Sequence, residues 1–112
     1  MRCVTNVKIR LSTDPEANGF GKGIVRLLEG VERLGSINKA TAEMGMAYSK
    51  AWKIINAGEK EFGVQLIARD GARGSALTPE AREMIARYHE INDAARKAAE
   101  EVFRKYYGEP EK

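Results

Sequence analysis

Residues 36–62 read SINKATAEMGMAYSKAWKIINAGEKEF, and the division of this stretch decides the fold. Ser36 can cap a helix, because its hydroxyl accepts a free backbone N–H. Ile37, Ala40, Thr41 and Met44 then form one inner face, with Ala40 small enough for a close helix crossing. Gly45 ends this short helix and supplies the φ freedom for a reversal. A longer helix follows from Ala47 or Tyr48. A short helix, a glycine turn and a longer helix make a helix-turn-helix pattern.

On a wheel of 100° per residue, the longer helix separates into two faces. Ala51, Ile55, Gly58 and Phe62 lie together, with Tyr48 and Trp52 at their flank. Ser49, Lys53, Asn56 and Lys60 lie opposite, with Lys50 at the border. That outer face carries cations and hydrogen-bonding groups but no acid; Glu59 and Glu61 fall off it. A merely solvated face more often mixes signs.

Upstream, Val7, Ile9 and Leu11 alternate with Lys8, Arg10 and Ser12. The spacing predicts a strand over residues 4–12 with one buried face. Thr13-Asp14-Pro15 and Asn18-Gly19 break it. Phe20, Ile24, Leu27, Leu28, Val31 and Leu34 then form a helical stripe, which Gly35 stops. Gly19, Gly21 and Gly23 do not make a phosphate loop. Such a loop needs Ser or Thr after its lysine, and Gly23 follows Lys22. They read instead as a flexible entry turn.

Downstream, Val64, Leu66 and Ile67 suit a short strand, Gly71 to Gly74 a basic tip, and Leu77 the start of a return strand. A hairpin directly after a helix-turn-helix is the order of a winged helix. Arg69 and Arg73 would approach phosphates or the minor groove; otherwise they are incidental loop arginines. Thr78-Pro79-Glu80 supplies cap, first position and dipole partner for a last helix to about Tyr107. Ala81, Met84, Tyr88, Ile91, Ala95, Ala98 and Val102 step alternately by three and four, a heptad seam. Ile85, Ala99, Phe103 and Tyr106 add a second strip. A domain of this size cannot cover all of it. A helix folded over its own core would account for Met84, Ile85 and Tyr88, but hardly for Val102 and Phe103. The seam therefore predicts a homodimer.

The expected class is mainly α with a small antiparallel sheet. Residues 1–78 form a winged helix-turn-helix, and residues 79–112 a long dimerisation helix with a short tail. At 43% hydrophobic and 31% charged residues the 112-residue chain has the composition of a soluble single domain. It shows no membrane span and no signal peptide. One cysteine, Cys3, precludes an internal disulfide and suggests a reducing cytoplasm. Residues 1–78 hold 12 Lys/Arg against 8 Asp/Glu, and residues 79–112 hold 7 against 8. The first part would be drawn to a polyanion. One histidine, His89, with Asp93 a turn on, and one cysteine give neither a catalytic group nor a zinc site. We expect no enzyme, cofactor or metal.

SINKATAEMGMAYSKAWKIINAGEK followed by LIARDGARGSALTPEAREMI resembles the DNA-binding domain of the molybdate-responsive ModE repressors. Its wider kinship is with the winged helices of LysR-type regulators. The resemblance covers roughly residues 4–105 and rests on Gly35-Ser36-Ile37, Ala40, Gly45, the YSKAW run from Tyr48 to Trp52, and Leu77-Thr78. It implies a dimeric transcription factor binding double-stranded DNA, with Tyr48, Ser49, Lys50, Trp52 and Lys53 matching the recognition helix. Ala47 stands where relatives usually have serine, so that helix lacks a cap. The family's molybdate-binding domains are expected to be absent from a chain ending at Lys112, so molybdate sensing is not carried over.

The combined expectation is a recognition helix at about 47–62 in the major groove and a wing at about 69–76 on the backbone or minor groove. Tyr48, Ser49, Lys50, Lys53, Asn56, Lys60, Arg69 and Arg73 would contact DNA. Met84, Tyr88, Ile91, Ala95, Ala98, Val102 and Phe103 would dimerise. The alternative is a protein-interaction module on the same scaffold with only non-specific DNA affinity.

Overall fold

The computed structural model describes residues 1–69 and 74–109. Four helices and one small hairpin follow in the order α1 (Lys22–Leu34), α2 (Ile37–Met44), α3 (Tyr48–Phe62), β1 (Ile67–Arg69), β2 (Ser75–Leu77) and α4 (Pro79–Tyr107). The antiparallel register pairs Ile67 with Leu77, Ala68 with Ala76 and Arg69 with Ser75.

The core is one cluster. Ile24, Val25, Leu27, Leu28 and Val31 of α1 meet Ile37 and Ala40 of α2 and Ala51 and Ile55 of α3. Leu66, Ile67 and Leu77 close one side, and Ala81, Ile85 and Tyr88 of α4 join it. The α1–α2 crossing is tight: a Cβ on Gly30 would lie 3.2 Å from that of Ala40. Larger side chains there would push the helices apart.

The turn after α2 is built as the sequence implies. Ser36 Oγ accepts from Lys39 N–H at 3.2 Å. Gly45 is left-handed at φ 66°, and Met46 N–H reaches back to Thr41 C=O at 2.9 Å. This Schellman-type closure satisfies carbonyls at the end of α2 and aims the chain into α3. At the wing, Gly74 has φ 95°, and a Cβ there would strike Gly35 C=O at 2.5 Å. Ser75 N–H donates to that carbonyl at 3.2 Å. The return strand is thus tied to the α1–α2 junction.

Four expectations need correction. Residues 4–12 form no strand. Only Leu11 is paired, in an isolated antiparallel bridge to Phe20, because alternation encodes which way side chains face and does not supply a neighbouring strand. The helix after it starts at Lys22, leaving Phe20 in that bridge. Val64 and Leu66 precede β1. Leu66 N–H and Ile67 N–H donate to a Glu59 carboxylate oxygen at 2.8 and 3.3 Å, so a side chain takes the Leu66 amide while its carbonyl still accepts from Thr78 N–H at 3.0 Å. The return strand begins at Ser75, and Leu77 is its last residue.

Thr78 caps α4 by accepting from Ala81 N–H at 3.1 Å, and Pro79 occupies the first turn. α4 spans 29 residues, about 43 Å at 1.5 Å per residue. Its first three turns are covered by the core, with Met84 packed at the margin and Tyr88 buried. Beyond Tyr88 the helix carries no buried residue.

Candidate nucleic-acid interface

α3 is positioned by what it buries. Ala51 and Ile55 are fully enclosed, and a Cβ on Gly58 would press on Ile24 Cδ1 at 3.0 Å and Leu66 Cδ1 at 3.2 Å. The opposite face is open: Ser49, Lys50, Lys53, Asn56 and Lys60 are all exposed. Tyr48 is exposed too and packs edge-to-face on Trp52, with centroids 6.4 Å apart. The structure therefore brings six of the expected DNA-contacting residues onto one helix. Arg69 ends β1; Arg73 lies outside the described residues. Ala47 precedes the helix in extended geometry, φ −67° and ψ 139°, with no side-chain cap.

The acids of α3 are turned away and occupied. Glu59 holds the start of the wing, as above. Glu61 accepts from Thr13 N–H at 2.9 Å and Gly19 N–H at 3.0 Å, with Ser12 Oγ and Thr13 Oγ1 at 3.1 and 3.2 Å. The Thr13 amide, foremost among these donors, holds the Glu61 carboxyl below its ordinary range, against an opposing desolvation effect. Sequence reasoning placed both carboxylates off the reading face but missed this work. Each anchors a loop to the last turns of α3, and the cationic face is left uncompensated. For Glu59 the available signal was an acid shortly before a loop with free amides; nothing local points from Glu61 to Thr13 and Gly19.

Supporting contacts fix the other elements. Arg33 of α1 and Glu43 of α2 form a two-point pair, one bond at 3.1 Å. Each shifts the other's titration toward the charged form, chiefly through that hydrogen bonding. His89 Nε2 lies 2.8 Å from Glu29 of α1, so the single histidine links α4 to α1. Among the described residues, no group of three or more His, Cys, Asp or Glu is placed to hold a metal ion. No described helix is long and apolar enough to cross a membrane.

The expected dimer residues divide in two. Met84 and Tyr88 pack within their own chain. Ile91, Ala98 and Val102 are exposed, and Ala95 and Phe103 are half-covered.

The profile of the family described as bacterial regulatory helix-turn-helix protein, lysR family, matches residues 24–82. Molybdenum transport protein ModE of Azotobacter vinelandii is 32% identical over 92 residues, covering 78% of this chain and 34% of that protein. The HTH-type transcriptional regulator TdcA of Escherichia coli (strain K12) is 35% identical over 72 residues, 64% of this chain and 23% of that one. The chain thus spans about a third or less of the length of these relatives. A chain in the crystal structure of a CbnR_DBD–DNA complex superposes with a TM-score of 0.58 at 18% identity, covering 74% of this chain and 94% of its own. It shares the fold.

Proposed function

The chain belongs to the lysR family of bacterial regulatory helix-turn-helix proteins, and from that premise we propose that it is a sequence-specific, DNA-binding transcriptional regulator acting as a cytoplasmic homodimer. The observation that carries this reading is the acid-free outer face of α3. Ser49, Lys53 and Asn56 read base edges or phosphates in the major groove, and Lys50, Lys60, Arg69 and Arg73 hold the backbone. The wing, about residues 69–76, flanks the site. The relatives are named a transcriptional regulator and a molybdenum transport protein, and the superposed fold was crystallised with DNA. These support the reading at the level of the winged domain.

The division at residue 78 is functional. The part before it presents the reading face. The part after it carries the dimer seam, which works from Ile91 onward, since Tyr88 is already enclosed. Exposed Ile91, Val102, Tyr106 and Tyr107 lie along α4 and not on the winged surface, an arrangement that suits pairing of two copies better than docking of a foreign protein on the winged face. Two recognition helices would then sit about 34–36 Å apart, one DNA turn.

Binding of Lys53→Ala/Arg73→Ala to duplex DNA at moderate salt tests this. The double variant binds much more weakly, with a shallower dependence on salt because fewer phosphates are neutralised. Undiminished binding would sink the proposal.

A further inference from the structure

The segment before Leu11 forms no strand, but its exposure alternates along the chain. Cys3, Thr5, Ile9 and Leu11 are half-covered, while Val4, Asn6, Lys8 and Arg10 are exposed. This is the period-two pattern of a strand lying on a surface. Val7 breaks it: on the covered side by parity, it remains 47% exposed. Leu11 and Phe20 exchange both backbone bonds, at 2.8 and 2.6 Å. In antiparallel geometry this turns the amides of odd-numbered residues toward Phe20 and those of even-numbered residues toward the opposite edge. Along that edge, the backbone groups of Val4, Asn6 and Lys8 have no hydrogen-bond partner among the described residues. An open edge of this kind is a template for another strand.

We propose that the arms of two copies pair antiparallel through this edge, centred on Val7, to form an intermolecular two-stranded ribbon. The inference rests on the homodimer reading and deepens it. Position supports it. Thr5, Asn6 and Val7 line one cleft, about 330 Å³, with Tyr88, His89, Asn92 and Arg96 of α4, so the arm runs beside the turns of α4 that also carry Ile91 and Ala95.

Charge fixes the register. The free edge requires even residues to pair with even, which allows a centre at any one residue. Centring on Thr5 sets Arg2 against Lys8, and centring on Asn6 sets Arg2 against Arg10. Lys8 as centre faces itself, and Ile9 as centre sets Lys8 against Arg10. Like charges directly opposite are unfavourable. Of the five centres from Thr5 to Ile9, Val7 alone avoids them: Lys8 meets Asn6, Arg10 meets Val4 and Arg2 meets Ser12. It also covers the one apolar side chain of the inner row that its own chain leaves open. Val7 meets its copy as a non-hydrogen-bonded pair, whose Cα atoms sit about 4.5 Å apart.

The test is oxidative cross-linking in a Cys3→Ser background, so that one thiol is present per chain. Val7→Cys places two thiols within disulfide reach. Lys8→Cys offsets them by two residues, putting the Cα atoms about 8 Å apart, beyond the roughly 7 Å a disulfide spans. With diamide and the full chain, we expect Val7→Cys to cross-link at least tenfold faster than Lys8→Cys, with dimer mass in light scattering before oxidation. Equal rates for the two, or no cross-link in a protein that is still dimeric, would overturn the arm pairing and leave the α4 dimer standing. A parent chain that stays monomeric at all concentrations would overturn both. Should Val7→Cys fail to fold, Asn6→Pro, which removes one ribbon donor on an exposed residue, is the second test. A dimer weakened at least fivefold supports the ribbon, and an unchanged one refutes it.

Discussion

α3 and the far half of α4 solve the same problem in opposite ways. Both are amphipathic helices with one uniform outer face. On α3 that face is cationic and polar, and its acids are drawn aside to hold loops. From Ile91 onward α4 turns apolar side chains outward, with Val102 57% exposed. Each face lacks what a solvated surface would contain. Missing acid on α3 suits a polyanion; missing cover on α4 suits a second hydrophobic strip. The comparison teaches that an unbalanced helix face is more informative than its net charge or mean hydropathy.

The comparison breaks most severely when α3 loses its seat. Ile55→Ala empties a fully buried site at the centre of the cluster and should destabilise the fold by about 2–5 kcal/mol. Denaturant titration would show it as a lower midpoint, and both faces would be lost together. Lys53→Ala/Asn56→Ala alters the α3 face alone. Affinity for a preferred sequence should fall by about 2–6 kcal/mol, at roughly 1–3 kcal/mol per base-reading contact, while the unfolding free energy stays within about 0.5 kcal/mol of the parent. Val102→Glu alters only the α4 face. Sedimentation should show a shift toward monomer with helix content retained, and DNA affinity should drop through lost pairing and not through lost contacts.

Two smaller changes sharpen the account of how α3 is held. Ala47→Ser restores a cap at an extended position that already fits one and should add about 1 kcal/mol of stability. Glu61→Gln keeps the shape but weakens the grip on the Thr13 and Gly19 amides. Because the folded Glu61 carboxyl titrates below its unfolded value, its contribution is fully present above about pH 4.3. It is lost as pH falls through the lower folded value. Thermal unfolding of parent and variant should therefore differ slightly at neutral pH and converge in strong acid.

Much of this was legible in the sequence because helix signals are local. Ser36, Gly45 and Thr78 act within a turn of their own positions, and a 3.6-residue period already separates Ile55 from Asn56. What was not legible depended on distant partners. The alternation of Val7, Ile9 and Leu11 states a facing, and among the described residues no neighbour completes a strand. Leu66 reads as strand because nothing local reveals that Glu59, seven residues back, takes its amide. Tyr88 and Ile91 share one heptad pattern, and only packing shows that the core stops between them. On the candidate interface, Ser49, Lys53, Asn56 and Lys60, with Lys50 at their border, followed from the wheel, and Tyr48 came only from the resemblance. The roles of Glu59 and Glu61 did not, since their partners lie in loops whose course the pattern does not fix.

On the proposed function, the outer face of α3 reads sequence. Selection from a random duplex pool, run side by side on the parent chain and on Lys53→Ala/Asn56→Ala, tests it most directly. The parent is expected to enrich an inverted repeat with half-site centres one turn apart, and the variant to lose preference at defined positions within each half-site. Enrichment of no motif by the parent, or of an identical motif by both proteins, would contradict it.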